Sequence, residues 1–271
     1  MSNLKTTELL TLSPLWCLFI LLTIPSFSLL SQQKSNPVAQ LGRLDLRNWD
    51  MEKDGKVPLN GSWRFYWNEL YNPVAYAAKA SSPSEYFIIP KTWNNHLVQG
   101  EKISSNGYAT FHLTVIGKFK NKNLALTIPD MYSSYTLWID EKLIAHNGIP
   151  GIDKETTTPQ WIPYTKPFRI QKDTINVLLN ISNFHHNNGG IKDAIWLGTA
   201  SELLGERHRD VTANLIGIIG LFLLFALSIF AYFYYKRNIS FLLFAFFSLT
   251  WAIRGLFTEM YLINFWFPEI S

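Results

Sequence analysis

Residues 215–235, LIGIIGLFLLFALSIFAYFYY, run without a charge, a proline or an amide side chain. At ~1.5 Å of rise per residue they make roughly 31 Å of helix, matching a ~30 Å hydrocarbon core. Only helices and closed barrels satisfy their backbone polar groups in lipid, so an isolated run this apolar reads as a membrane-spanning helix. The run ends in Tyr232, Phe233, Tyr234 and Tyr235, and Lys236 and Arg237 follow at once. Before it stand Glu202, Glu206, Arg207, Arg209 and Asp210, minus one overall. Short loops rich in Lys and Arg stay in the cytoplasm. The expectation is a multi-pass protein of the cell (inner) membrane, with residues 32–214 extracytoplasmic and Lys236 inside.

A second apolar segment, 239–257, returns outward after the basic turn. Its Arg254 lies ~22 Å from the cytoplasmic end, where it snorkels to the outer headgroups. Residues 258–271 read as an outer loop, and the chain reads as truncated after two helices. At the other end, residues 1–31 resemble a secretion signal: Lys5, a ten-residue apolar core from Leu15 to Ile24, and the small-x-small site Ser26-Phe27-Ser28. An uncleaved N-terminal anchor is the alternative. Residues 32–40 read as a linker.

Between linker and membrane the periodicity is two. Ala109, Phe111, Leu113 and Val115 share one face of a strand, against Tyr108, Thr110, His112 and Thr114 on the other. Leu124, Leu126 and Ile128 repeat the pattern, as do Tyr135, Leu137 and Ile139. So do Ile175, Val177, Leu179 and Ile181, with Asn176, Asn180 and Ser182 facing out. Trp63, Phe65 and Trp67 share a face, and 85–89 forms a further strand. Asn-Gly and Asp-Gly pairs at 54–55, 60–61, 106–107 and 147–148 punctuate them. Apart from a turn or two within 68–79, no helical period intervenes. Residues 41–200 are therefore expected to be a mainly β domain, an antiparallel β-sandwich, with 201–214 a linker into a transmembrane α-helical hairpin.

Several functions are excluded. A net charge of +4 with no Lys/Arg run longer than two residues gives nucleic acid no footing. The single cysteine, Cys17, lies in the apolar leader, so disulfides and CxxC sites are absent. No nucleophile elbow, phosphate loop, H-E-x-x-H or dinucleotide fingerprint occurs, and no enzyme is expected. His185 and His186 are adjacent, so in an extended segment they point to opposite faces; neither a metal nor another cofactor is expected.

Three stretches carry a resemblance: Trp49-Asp50 and Asp54-Gly55 with LNGSWRFYWNEL (59–70); GYATFHLTV (107–115) with YTLWIDEKLIAHNG (135–148); and NISNFHHNNGGI (180–191). In this order they resemble the extracellular domain of bacterial seven-transmembrane receptors with diverse intracellular signalling modules (7TMR-DISM). The likeness continues through helix, basic turn and helix. It implies a jelly-roll sandwich of the galactose-binding kind and a receptor for signal transduction. The implied partners are a carbohydrate or other small polar ligand, the lipid bilayer and other receptor subunits. The sequence departs from the pattern by ending after two helices. A membrane-tethered carbohydrate-binding module without a signalling role is the alternative.

Ligand-binding candidates are the aromatic and amide or imidazole residues beside turn signals: Trp93, Asn94, Tyr132, His185, His186 and Asn187. Rings stack on apolar sugar faces, while Asn and His side chains bond hydroxyls or carboxylates. For 183–186 the competing reading is a turn that closes the sandwich through side-chain to backbone bonds.

Overall fold

The structure, a computed structural model, describes residues 34–79, 83 and 85–258. The expected secretion signal or anchor and, apart from Thr258, the expected outer loop lie outside the described residues. In chain order the strands are β1 (Arg43–Asp45), β2 (Val57–Pro58), β3 (Gly61–Trp67), β4 (Glu85–Ile89), β5 (Lys91–Thr92), β6 (Leu97–Val98), β7 (Glu101–Lys102), β8 (Gly107–Ile116), β9 (Asn123–Ile128), β10 (Ser134–Ile139), β11 (Lys142–Asn147), β12 (Tyr164–Arg169), β13 (Thr174–Asn183), β14 (Gly190–Ile191) and β15 (Trp196–Thr199). Three helices are described, α1 (Pro73–Lys79), α2 (Ala200–Tyr234) and α3 (Ile239–Phe257).

Two sheets face each other. The larger runs β11-β10-β13-β8-β3-β4, and the smaller runs β12-β9-β15-β2. All pairs are antiparallel except β1, which adds to β8 in parallel, Leu44 opposite Val115. The alternation in sequence becomes the filling between the sheets. Ala109, Phe111, Leu113, Val115, Leu137, Leu179 and Ile181 on one sheet, and Leu124, Leu126 and Ile128 on the other, are buried. Phe65 lies 4.9 Å from Phe111 and 5.2 Å from Phe87, ring centre to ring centre, so aromatic rings fill one end of this core. The jelly-roll sandwich expected from sequence is the fold observed.

Three features differ from the expectation. The linker ends earlier: Ala39 is buried and exchanges hydrogen bonds with the strand edge, its amide reaching Asn60 O and its carbonyl accepting from Ser62. The outer face of the larger sheet is not uniformly solvated, since Thr110, His112, Asn180 and Ser182 are buried. The cause is cover from the chain itself. Residues 69–79 lie across that face, and Gly151 O accepts from the Ser182 hydroxyl. Finally, 201–214 is no loop. It is the first four turns of α2, which leaves β15 without an intervening residue and runs 35 residues to the turn at Lys236 and Arg237. Thr199 caps it, its hydroxyl accepting from Glu202 N at 3.3 Å.

Both α2 and α3 are long and apolar enough to cross a membrane. They pack as a hairpin with Asn238 capping α3 through Ser240 N. The seam uses small residues, Ser228 on α2 and Ala245, Ser248 and Ala252 on α3, which let the backbones approach. The serine hydroxyls return to carbonyls one turn back, Leu224 O and Phe244 O. Their outer faces expose Ile216, Ile219, Leu223, Phe230, Phe246 and Phe247.

Candidate functional site

Sequence reading points to the corner after β13, and the structure brings five of its six candidates together there. Asn94 is the tie between segments: its Nδ2 donates to Asn187 O at 2.8 Å and its Oδ1 accepts from Gly189 N at 2.9 Å. The Tyr132 and His186 rings stack 4.3 Å apart, and Lys192 Nζ stands 5.8 Å from the Tyr132 centroid while pairing with Asp130 at 2.8 Å. His185 and Asn187 are exposed beside them.

Trp93 does not join this surface. It is 0% exposed in the sandwich core, donates its indole N–H to Ser105 O at 2.9 Å and packs edge-on against Trp67. A Cβ on Gly189 would fall 2.3 Å from the Trp93 indole nitrogen, so the loop lies directly on the ring. Much of the loop's polar capacity is consumed internally. The buried Asn183 amide donates to Ser105 O, His186 O and Asn188 O at 2.8–3.0 Å, and its Oδ1 accepts from His186 N. His186 Nδ1 accepts from Asn188 N at 3.0 Å. Asn183, which sequence reading placed in a closing turn, is the residue that organises the corner.

A second concavity lies on the outer face of the larger sheet, and periodicity alone did not reveal it. Register sets its floor: Arg64 on β3 stands opposite His112 on β8, which stands opposite Leu178 on β13, with Asn176 one row on. One wall is α1, through Pro73, Tyr76 and Ala77; the other is Asp140, Glu141 and Lys172 from two turns. Together they enclose about 430 Å³. A buried polar network holds the α1 wall down. Thr110 Oγ1 accepts from Tyr71 N and lies 2.8 Å from both Glu69 O and Asn180 Oδ1, while Asn180 Nδ2 donates to Tyr71 O.

His112 is 4% exposed and stacks on Tyr76 with 4.5 Å between ring centres. Burial, reinforced by the nearby Arg64 charge, pushes its pKa down to about 4. The imidazole is thus neutral, and its Nδ1 accepts from Arg64 Nη1 at 3.0 Å. Arg64 reaches Thr114 Oγ1 more loosely, at 3.5 Å, and has no carboxylate partner among the described residues. Asp140 Oδ1 accepts instead from the amide and side chain of Asn176. Chemically this is a polar recess with an aromatic wall and a fixed, half-buried guanidinium. Among the described residues no three His, Cys, Asp or Glu side chains converge to hold a metal ion.

No family model matches the chain, and no curated protein matches it. Among solved structures it is similar to Ruminococcus gnavus β-glucuronidase, with a TM-score of 0.38 at 12% identity over 52% of this chain and 28% of that one. It is also similar to an uncultured Clostridium sp. β-glucuronidase, with a TM-score of 0.39 at 13% identity over 52% of this chain and 28% of that one. A GH2 β-galacturonidase from Eisenbergiella tayi bound to galacturonate gives a TM-score of 0.35 at 12% identity over 52% of this chain and 24% of that one. The chain thus spans at most 28% of the length of these enzymes.

Proposed function

We propose that the chain is the extracytoplasmic sensory part of a bacterial membrane receptor of the 7TMR-DISM kind that its sequence resembles. The sandwich binds a carbohydrate or other small polar ligand, and α2 carries the binding event into the membrane. It acts by binding rather than by catalysis. The observation that supports this is the junction of β15 and α2. A tethered module needs only a slack connection, whereas here the last strand becomes the first membrane helix with no loop between them. The helix is also clamped to the sandwich. Leu203 is buried, Glu202 Oε1 accepts from Lys56 N, Lys56 Nζ pairs with Glu206, and Arg207 donates to Pro163 O. Any movement of the smaller sheet therefore moves the helix, since packed elements transmit displacement while flexible linkers absorb it.

The test places spin labels at 214 and 255 in the full chain in lipid nanodiscs and measures their separation against a panel of neutral and acidic monosaccharides. A sugar that binds and shifts the distance distribution supports a sensor. Sugars that raise the melting temperature of the sandwich yet leave the helices unmoved would overturn this reading in favour of a tethered binding module.

A further inference from the structure

We propose that the recess on the outer face of the larger sheet is a binding site for a small ligand bearing a carboxylate, which Arg64 holds. The placement rests on the guanidinium. Its five N–H donors meet only two acceptors, His112 Nδ1 at 3.0 Å and Thr114 Oγ1 at 3.5 Å, both through Nη1. Nη2 and Nε are left with no protein partner among the described residues. A half-buried guanidinium without a carboxylate is uncommon, because its desolvation is offset best by a bidentate anion.

The side chain is also fixed in advance. A Cβ on Gly42, whose φ is +73°, would lie 2.7 Å from Arg64 Cγ and 3.3 Å from its Cζ, so the stem lies flat on that glycine's backbone. His112 then pins the outer nitrogen from the other side. Its neutral Nδ1 suits that task, because a protonated ring would offer no lone pair and would repel the guanidinium.

The rest of the recess fits the same ligand class. Tyr76 lines it with an aromatic ring, Asn176 with an amide, and Lys172 with a second, exposed cation. Of the two rim acids, Asp140 is occupied by Asn176 and Glu141 is exposed. The lining therefore carries two cations and two acids around a neutral histidine, which favours an acid that also bears hydroxyl or amine groups over a bare inorganic anion. The site is distinct from the corner after β13. It deepens the sensory reading by naming a ligand class, and it does not require that binding move the helices.

The experiment uses the full chain in detergent with matched probes: D-glucuronate against D-glucose, lactate against propane-1,2-diol, and serine against ethanolamine. Binding is measured by calorimetry. At least one acid is expected to bind roughly tenfold more tightly than its partner compound and to lose about tenfold in Arg64→Gln, with a smaller loss in Lys172→Gln. Should Arg64→Gln fail to fold, Arg64→Lys, which keeps the charge and loses the fork, is expected to weaken the acid in its place. An absence of preference for the acid in every pair would overturn the assignment. So would acid affinity unchanged in the folded Arg64 variant. Acid binding through Arg64 with the 214–255 distance unmoved would sink the sensor and leave this site standing.

Discussion

At the scale of single residues, His112 is the most consequential side chain that alternation misplaced. By period it belongs to the open face of β8, yet the neighbouring Tyr76 covers it, and its pKa falls to about 4 from an ordinary 6.5. The groups facing it are Arg64, Tyr76 and Asn176, with Asp140, Glu141 and Lys172 lining the same recess. A histidine lowered in this way takes up its proton in the unfolded chain before the folded one. Stability is full above pH 6.5 and falls as pH drops from 6.5 to about 4, by about 3 kcal/mol at most. Denaturant unfolding between pH 7 and pH 4 should show that slope, and His112→Gln should flatten it; an unchanged slope in the variant would assign the effect to other groups. Asn183 was easier to read. An asparagine after a regular strand and before His-His-Asn-Asn-Gly-Gly is a natural donor to a turn's carbonyls; it bonds two of them, His186 O and Asn188 O, and adds Ser105 O from the segment before β8. Nothing in the sequence, however, told that Trp93 faces inward, because it lies on no alternating strand.

At the scale of elements, strands were legible and covers were not. β8 and β13 are long, alternate cleanly and pair over ten residues each, so their burial follows from period alone. Segment 69–79 is short and weakly patterned, and its role comes from where Tyr71 and Tyr76 land, which depends on tertiary contacts. The helical start at 200 did carry a signal, Thr199-x-x-Glu202, the spacing of a capping box. Charges at 202, 206, 207, 209 and 210 hid it by making the stretch look like a solvated link. Only half of the box forms, since the Glu202 carboxylate turns to Lys56 N. Thr199→Val should therefore cost about 1 kcal/mol of stability. Thermal melting of the detergent-solubilised chain, followed by circular dichroism, measures it; no change would mean that the clamp at Lys56 and Leu203 suffices to start the helix.

At the scale of the whole molecule, the Lys/Arg asymmetry around α2 predicts an orientation that labelling can test. Lys236 and Arg237 form the tight turn between α2 and α3, both in the left-handed backbone region. In intact cells, a cysteine placed at 142 should react with a membrane-impermeant maleimide, and one placed at 236 should react only after permeabilisation. The reverse pattern would invert the topology. From Ala200 to Asn214 the helix rises ~22 Å before its apolar span begins, held to the sandwich only along its first turns. The sandwich and the apolar part of α2 are thus joined along one helix axis. Deleting or adding a single residue between 208 and 214 would swing the whole sandwich by roughly 100° about that axis, relative to whatever the apolar parts of α2 and α3 touch. Spacing in this stretch is accordingly a phase, and a one-residue change in its length should be felt more than most changes in its composition.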